Sequence, residues 1–120
     1  MNTKTVGDAG EVMAEQYLVA KGCVVLTRKF RAVCGEVDLI VRDQKTLVFV
    51  EVKARRSDRF GTPGQAVTER KQRKIIQTAE CYLSAHGMAD GLCRFDVIEI
   101  YYRNAKEHRI NWLKNAFELA

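Results

Sequence analysis

The sequence predicts a mixed α/β domain with its elements in the order α-β-β-β-α-β-β. Three observations lead there. Two segments carry apolar residues at the spacing of a helix face. Two β-rich runs in the middle of the chain, the first alternating and the second largely apolar, are joined by a short polar turn. The length, 120 residues, suits one domain with one core. No repeat, low-complexity tract or linker divides the chain, so residues 1–120 read as a single domain.

Residues 8–21 form the first expected helix. Asp8, with Glu11 three residues later, fits a capping box in which Asp takes the cap. Ala9, Met13, Tyr17 and Ala20 recur at helical spacing, with Val12 and Leu18 widening the stripe. Lys21-Gly22 is a stop signal, glycine being suited to the left-handed position. Residues 23–26 are a short strand that runs into the basic residues Arg28, Lys29 and Arg31.

The next two strands are the informative ones. Along 35–41, Val37, Leu39 and Val41 share one face and Glu36, Asp38 and Ile40 the other. Along 47–53, Val48, Val50 and Val52 share a face, while Glu51 and Lys53 lie with Leu47 and Phe49. A hairpin is the natural connection, although Gln44-Lys45 is not a favoured tight-turn pair.

Residues 55–64, with Gly61, Pro63 and Gly64, read as an exposed loop. A second helix is expected over 65–85. Val67, Ile75, Ala79, Tyr82 and Leu83 supply its apolar side, Arg70, Lys71, Arg73 and Lys74 its polar side, and His86-Gly87 its end. Residues 92–102 are a strand in which Phe95, Val97 and Ile98 are interleaved with Arg94, Asp96 and Glu99. Residues 108–113 are the last strand, and 114–120 a short tail of helical character.

The formal net charge is +5, and its placement is more telling than its size. Between Lys53 and Lys74 stand eight basic residues and two acidic ones, Asp58 and Glu69. Such a cluster points to a polyanion, nucleic acid first. No apolar run approaches the ~20 residues of a membrane span. The first residues are polar where a secretion signal needs an apolar stretch, so a cytoplasmic location is expected. Cys23, Cys34, Cys81 and Cys93 form no C-x-x-C pair, and His86 and His108 add no ligand spacing. Zinc and a disulfide framework are disfavoured, and the four cysteines read as buried or incidental thiols.

A two-residue Gln44-Lys45 loop would set Asp38 opposite Glu51. Opposed residues in an antiparallel pair point to the same face with Cβ atoms about 5 Å apart, and Lys53, two residues beyond Glu51, leaves on that face too. A shift of one residue in register would undo the arrangement. Paired carboxylates repel, and a hard divalent cation with oxygen ligands and retained waters resolves the repulsion. Such an ion beside an amine suits phosphodiester hydrolysis by water. The plainer reading is a solvated sheet face with a surface Glu51–Lys53 pair. Against it, the run from Leu47 to Val52 is otherwise apolar, and charges in a central strand need partners.

Glu36-Val37-Asp38 followed, 13 residues after the aspartate, by Glu51-Val52-Lys53 resembles the signature of the PD-(D/E)xK nuclease superfamily. Val37 stands where the signature has proline. From Gly7-Asp8-Ala9-Gly10-Glu11 through Phe49-Val50-Glu51-Val52-Lys53 to Tyr82-Leu83, the chain is similar to the YraN family of small bacterial proteins. That family is in turn similar to archaeal Holliday junction resolvases. The resemblance covers about residues 5–102. It implies a restriction-endonuclease-like core, a mixed central sheet flanked by helices.

It also implies Asp38 and Glu51 as ligands of Mg2+ or Mn2+, the Val52 carbonyl as a third, and Lys53 as the catalytic lysine. Glu11 matches an acidic residue that approaches the metal in resolvase-like members; capping the helix is the equal alternative. Glu36 suits a solvated or loop-fixing role better than ligation. Arg55, Arg56, Arg59, Arg70, Lys71 and Lys74 become candidates for holding the nucleic-acid backbone, DNA being the expected partner. Tyr101, Tyr102 and Trp112 offer rings for base stacking, although core or interface packing is the commoner use.

The leading expectation is a metal-dependent endonuclease, structure-selective on DNA. A nucleic-acid-binding or scaffolding protein that cleaves nothing is the alternative, and a protein-interaction domain is a third class. Resolvases act as dimers, so a homodimer is in view, with Leu113, Phe117 and Leu119 serving either an interface or the core.

Overall fold

The computed structural model describes residues 3–56, 67–87, 92–104 and 106–118, the side chains from residue 8 onward. The elements are α1 (Thr3–Ala20), β1 (Val24–Ala32), β2 (Gly35–Asp43), β3 (Thr46–Arg56), α2 (Glu69–Ala85), β4 (Cys93–Tyr102) and β5 (His108–Phe117). The order is the expected one. Five strands make one mixed sheet in the sequence β1-β2-β3-β4-β5. The first three form an antiparallel meander, β4 runs parallel to β3 after the α2 crossover, and β5 returns antiparallel. This is α/β architecture consistent with a restriction-endonuclease-like fold. Among the described residues no helix is long and apolar enough to cross a membrane.

The two helices cover opposite faces of the sheet. Ala14 and Leu18 of α1 pack with Leu39, Val41, Val48, Val50, Ile98 and Ile100. Ile75, Ala79 and Tyr82 of α2 pack with Ile40, Leu47, Phe49, Phe95 and Val97. The period-two pattern of β3 is realised as expected, with the valines toward α1 and Leu47 and Phe49 toward α2. Val37 departs from it. It lies on the α2 side with Ile40, not with Leu39 and Val41. The pattern shifts at Asp38, where the paired register of β2 with β3 ends.

Several boundaries differ from the sequence reading for identifiable reasons. α1 starts at Thr3, five residues before Asp8, so Asp8 and Glu11 lie inside the helix and cap nothing. Its end is as read. Gly22 takes φ +96°, and the Cys23 amide donates to the Leu18 carbonyl. α2 starts at Glu69, with Thr68 as N-cap accepting from the Lys71 amide at 3.2 Å. Arg55 and Arg56 end β3 and are not loop residues; residues 57–66, including Arg59, lie outside the described residues. Residues 114–117 extend β5 where a helical tail was expected.

The β4–β5 pairing contains a bulge. Phe95 pairs with Phe117 and Val97 with Leu113, leaving three β5 residues opposite Asp96. Asn115 takes φ +53°, and its amide donates to Asp96 Oδ1 at 2.8 Å. Asp96, Glu99 and most of β4 are buried, so the expected polar face of this strand does not exist. Tyr102 is buried, and Trp112 packs edge-on against Tyr17, so neither ring is offered to bases. Phe117 closes the core against Phe95, while Leu113 is exposed and Leu119 lies outside the described residues.

α1 lies unusually close to β3. A Cβ placed on Gly10 would sit 2.7 Å from the Ala54 Cβ, a clash with a side chain that has no flexible end to swing away. Gly10→Ala is expected to destabilise the protein by about 1–3 kcal/mol, outweighing the ~1 kcal/mol by which alanine favours a helix over glycine. Urea denaturation checks it; a variant as stable as the parent contradicts this packing.

Candidate functional site

The hairpin register is the one the two-residue loop requires. Asp43 pairs with Thr46 and Leu39 with Val50, Gln44 taking φ +57° to close the turn. The next pair would be Asp38 with Glu51, but the paired register stops one step short. The Asp38 carboxylate fills the gap, its Oδ2 accepting from the Val52 amide at 2.7 Å. The strands part here, and the functional groups gather in the opening.

Glu51 is buried at 5% exposure and sits on the α2 face. Its Oε1 receives two ammonium groups, Lys53 Nζ at 3.4 Å and Lys71 Nζ at 2.9 Å. Gly35, Glu36, Asp38, Glu51, Lys71 and Lys74 line a cleft of about 290 Å³ between β2 and α2. On the α1 side, Asp38 also borders a second cleft of about 410 Å³ with Glu11, Glu15, Arg28 and Lys29. Asp38 is therefore reachable from both faces of the sheet.

The structure brings Asp38, Glu51, Lys53, Lys71 and Lys74 together on the α2 side, while Glu11 shares the second cleft with Asp38 and its charge adds to the rise of the Asp38 carboxyl. Glu11 ion-pairs with Lys29 at 3.6 Å, and burial holds its carboxyl above the ordinary range against the pull of that lysine. Glu36 pairs with Arg31 at 3.0 Å across the β1–β2 hairpin. Arg55 donates to the Ala54 carbonyl, and Arg70 stands on the first turn of α2.

Sequence reasoning set Lys71 among the backbone-holding cations and missed its contact with Glu51. A signal was present. Lys71 occupies the first turn of α2, where the helix dipole disfavours positive charge. A buried carboxylate facing that turn is what compensates.

The electrostatics follow from crowding. Burial, then the charge of Glu51, pushes the Asp38 carboxyl from 3.8 up to about 7, against the Val52 hydrogen bond. Burial, then the contact with Lys71, draws the Lys53 ammonium below its usual value, which Glu51 only partly offsets. Of the two lysines Lys53 is the more enclosed, 12% exposed against 40%, and it is the one that yields its proton first. Among the described residues no three Asp, Glu, His or Cys side chains form a metal cage. The oxygen donors facing a cation would be Asp38, Glu51 and the Val52 carbonyl, which leaves the strand on the same edge as its amide. Such a set suits an ion that keeps several waters.

A carboxyl raised in the folded state favours folding below its unfolded value and loses that contribution as pH climbs through the folded one. The metal-free protein therefore weakens between about pH 4 and about 7 on account of Asp38. Asp38→Asn keeps an acceptor for the Val52 amide and removes the charge. It is expected to raise metal-free stability by on the order of 2 kcal/mol above pH 7 and to change little at pH 4. Thermal melts at both pH values check this; an equal effect at both would contradict it.

The model of the uncharacterised protein family UPF0102 matches residues 10–100. The chain is 44% identical over 119 residues to a UPF0102 protein of Geotalea uraniireducens, covering 99% of this chain and 94% of that one. It is 44% identical over 115 residues to one of Symbiobacterium thermophilum, covering 96% and 98%. It is 46% identical over 119 residues to one of Geobacter sulfurreducens, covering 99% and 93%. The YraN resemblance leads to the same group, whose members are PD-(D/E)xK-like, and the chain belongs to the UPF0102 family.

Proposed function

We propose that this protein is a metal-dependent endonuclease that hydrolyses phosphodiester bonds, selective for DNA structure in the manner of a junction resolvase. The observation that carries the reading is the convergence of Asp38, Glu51, Lys53 and Lys71 where β2 parts from β3. Asp38 and Glu51 would hold Mg2+ or Mn2+. When bound, such an ion polarises the phosphoryl group and acidifies a water. The enclosed Lys53 amine, drawn below its usual value, would orient the attacking water or take its proton. Lys71 relieves the charge on Glu51 before substrate arrives and then faces the phosphate. Arg55, Arg56, Arg70 and Lys74 hold the backbone on either side, giving salt-sensitive binding with little sequence preference. A cytoplasmic location fits work on DNA, and symmetric cutting of a junction calls for a homodimer.

A second reading rests on one observation. Glu51 already has two ammonium partners, so its burial needs no ion, and a DNA-binding scaffold that cleaves nothing would keep the same contacts. The test sets the purified protein against single-stranded, flap and four-way junction DNA in magnesium or manganese, with Glu51→Ala and Lys53→Ala alongside. Cleavage lost in both variants supports the nuclease. Tight, salt-sensitive binding with every substrate left intact supports the scaffold.

A further inference from the structure

The tip of the β1–β2 hairpin rests on α2. The Cys34 thiol lies 3.7 Å from the Thr78 hydroxyl. A Cβ on Gly35 would meet that hydroxyl at 3.2 Å and the Lys74 Cβ at 3.8 Å. Thr78 and Cys81 are three apart on the helix and so share a face. The Cys81 side chain interacts with that of Cys34. Cys81 is exposed and Cys34 half-buried, whereas Cys23 is buried on the α1 side and Cys93 packs at the start of β4. Two thiols from distant segments are therefore neighbours about one face of α2, beside the cleft.

We propose that Cys34 and Cys81 form a modification site at which a hydroperoxide makes an intramolecular disulfide, pinning the β1–β2 turn to α2. One thiolate attacks the peroxide oxygen, expels hydroxide and becomes a sulfenic acid. The other sulfur attacks the sulfenic sulfur and water leaves. Two thiols and one hydrogen peroxide thus give one disulfide and two waters, the sulfurs being oxidised and the peroxide reduced. Desolvation and the Cys34 sulfur hold the Cys81 thiol above its usual value, so its thiolate is scarce and oxidation needs a reactive hydroperoxide. Asp38, Glu51, Lys53 and Lys71 all lie between the two cysteines in sequence, and β2 and α2 are the walls of their cleft. The bond restricts the movement of one wall against the other, whatever the cleft binds, so this site does not depend on the nuclease reading.

The experiment treats the whole protein with limiting hydrogen peroxide, alkylates the remaining thiols and maps the peptides by mass spectrometry, with Cys34→Ser and Cys81→Ser in parallel. The expected product has lost the mass of two hydrogens, contains a Cys34–Cys81 linked peptide, and melts a few degrees higher because the closed loop restrains the unfolded chain. Both serine variants, checked as folded by circular dichroism, lack the link and the melting shift. A Cys81 sulfinic acid beside a Cys34 that still alkylates, or a link to Cys23 or Cys93, would overturn the proposal.

Discussion

Lys53→Ala is expected to lower DNA cleavage by on the order of 10²–10⁴-fold, the usual contribution of a positioned proton-transfer group. Binding of a four-way junction should change by less than a few-fold. The division follows from burial. Lys53 is largely enclosed and points at Glu51, so it is poorly placed to hold a distant phosphate. Lys71, more open to solvent, still neutralises Glu51 in the variant, and the fold should survive. Lys53→Arg is not a rescue, because a guanidinium cannot give up its proton near neutral pH. Single-turnover rates measured with electrophoretic binding on the same junction separate the two effects. A variant that loses binding and cleavage in proportion would assign Lys53 to substrate holding.

Asp96→Ala carries the largest expected cost in stability, about 3–5 kcal/mol, typical of breaking a buried ion pair by removing one partner. Asp96 is completely buried. It accepts from Arg94 Nε at 2.8 Å and Nη2 at 2.9 Å, from the Trp112 indole at 2.8 Å and from the Asn115 amide at 2.8 Å. Arg94 reaches on to Asp43 at 3.0 Å and so also ties in the end of β2. Without the carboxylate, three donor groups lose a partner and the bulge in β5 loses its anchor. Asp96→Asn, which keeps one acceptor and adds an unmatched donor, should fall between the parent and alanine. Denaturant titration gives the order, and Trp112 fluorescence reports the local change. A loss under 1 kcal/mol for alanine would mean that β5 re-pairs without its bulge.

What the sequence disclosed and what it hid have separate physical origins. The hairpin was legible because register follows from loop length, and the paired residues leave little freedom once Gln44-Lys45 is the turn. The faces of β3 were legible because side chains alternate along a strand. The capping reading of Asp8 and Glu11 failed because a helix can begin earlier wherever its backbone allows, and a matching pair of residues inside it caps nothing. β4 misled because Arg94, Asp96 and Glu99 mimic the exposed side of a half-buried strand. Partners that bury Asp96 come from Trp112 and Asn115, on a strand whose bulge no pattern announces. The contact of Lys71 with Glu51 was hidden because the two stand 20 positions apart in the chain, and only the crossover brings them together. The candidate site was legible in its carboxylates and first lysine and illegible where it depends on α2.

The Val52 amide that grips Asp38 belongs to the peptide unit immediately after Glu51. Both acidic groups are thus referenced to one rigid plane, the first by a hydrogen bond and the second by covalent attachment. When the sheet flexes, Asp38 is drawn along with the strand that carries Glu51. The quantity free to vary is the gap to the ammonium group on the helix, which makes that gap the adjustable dimension of the cleft.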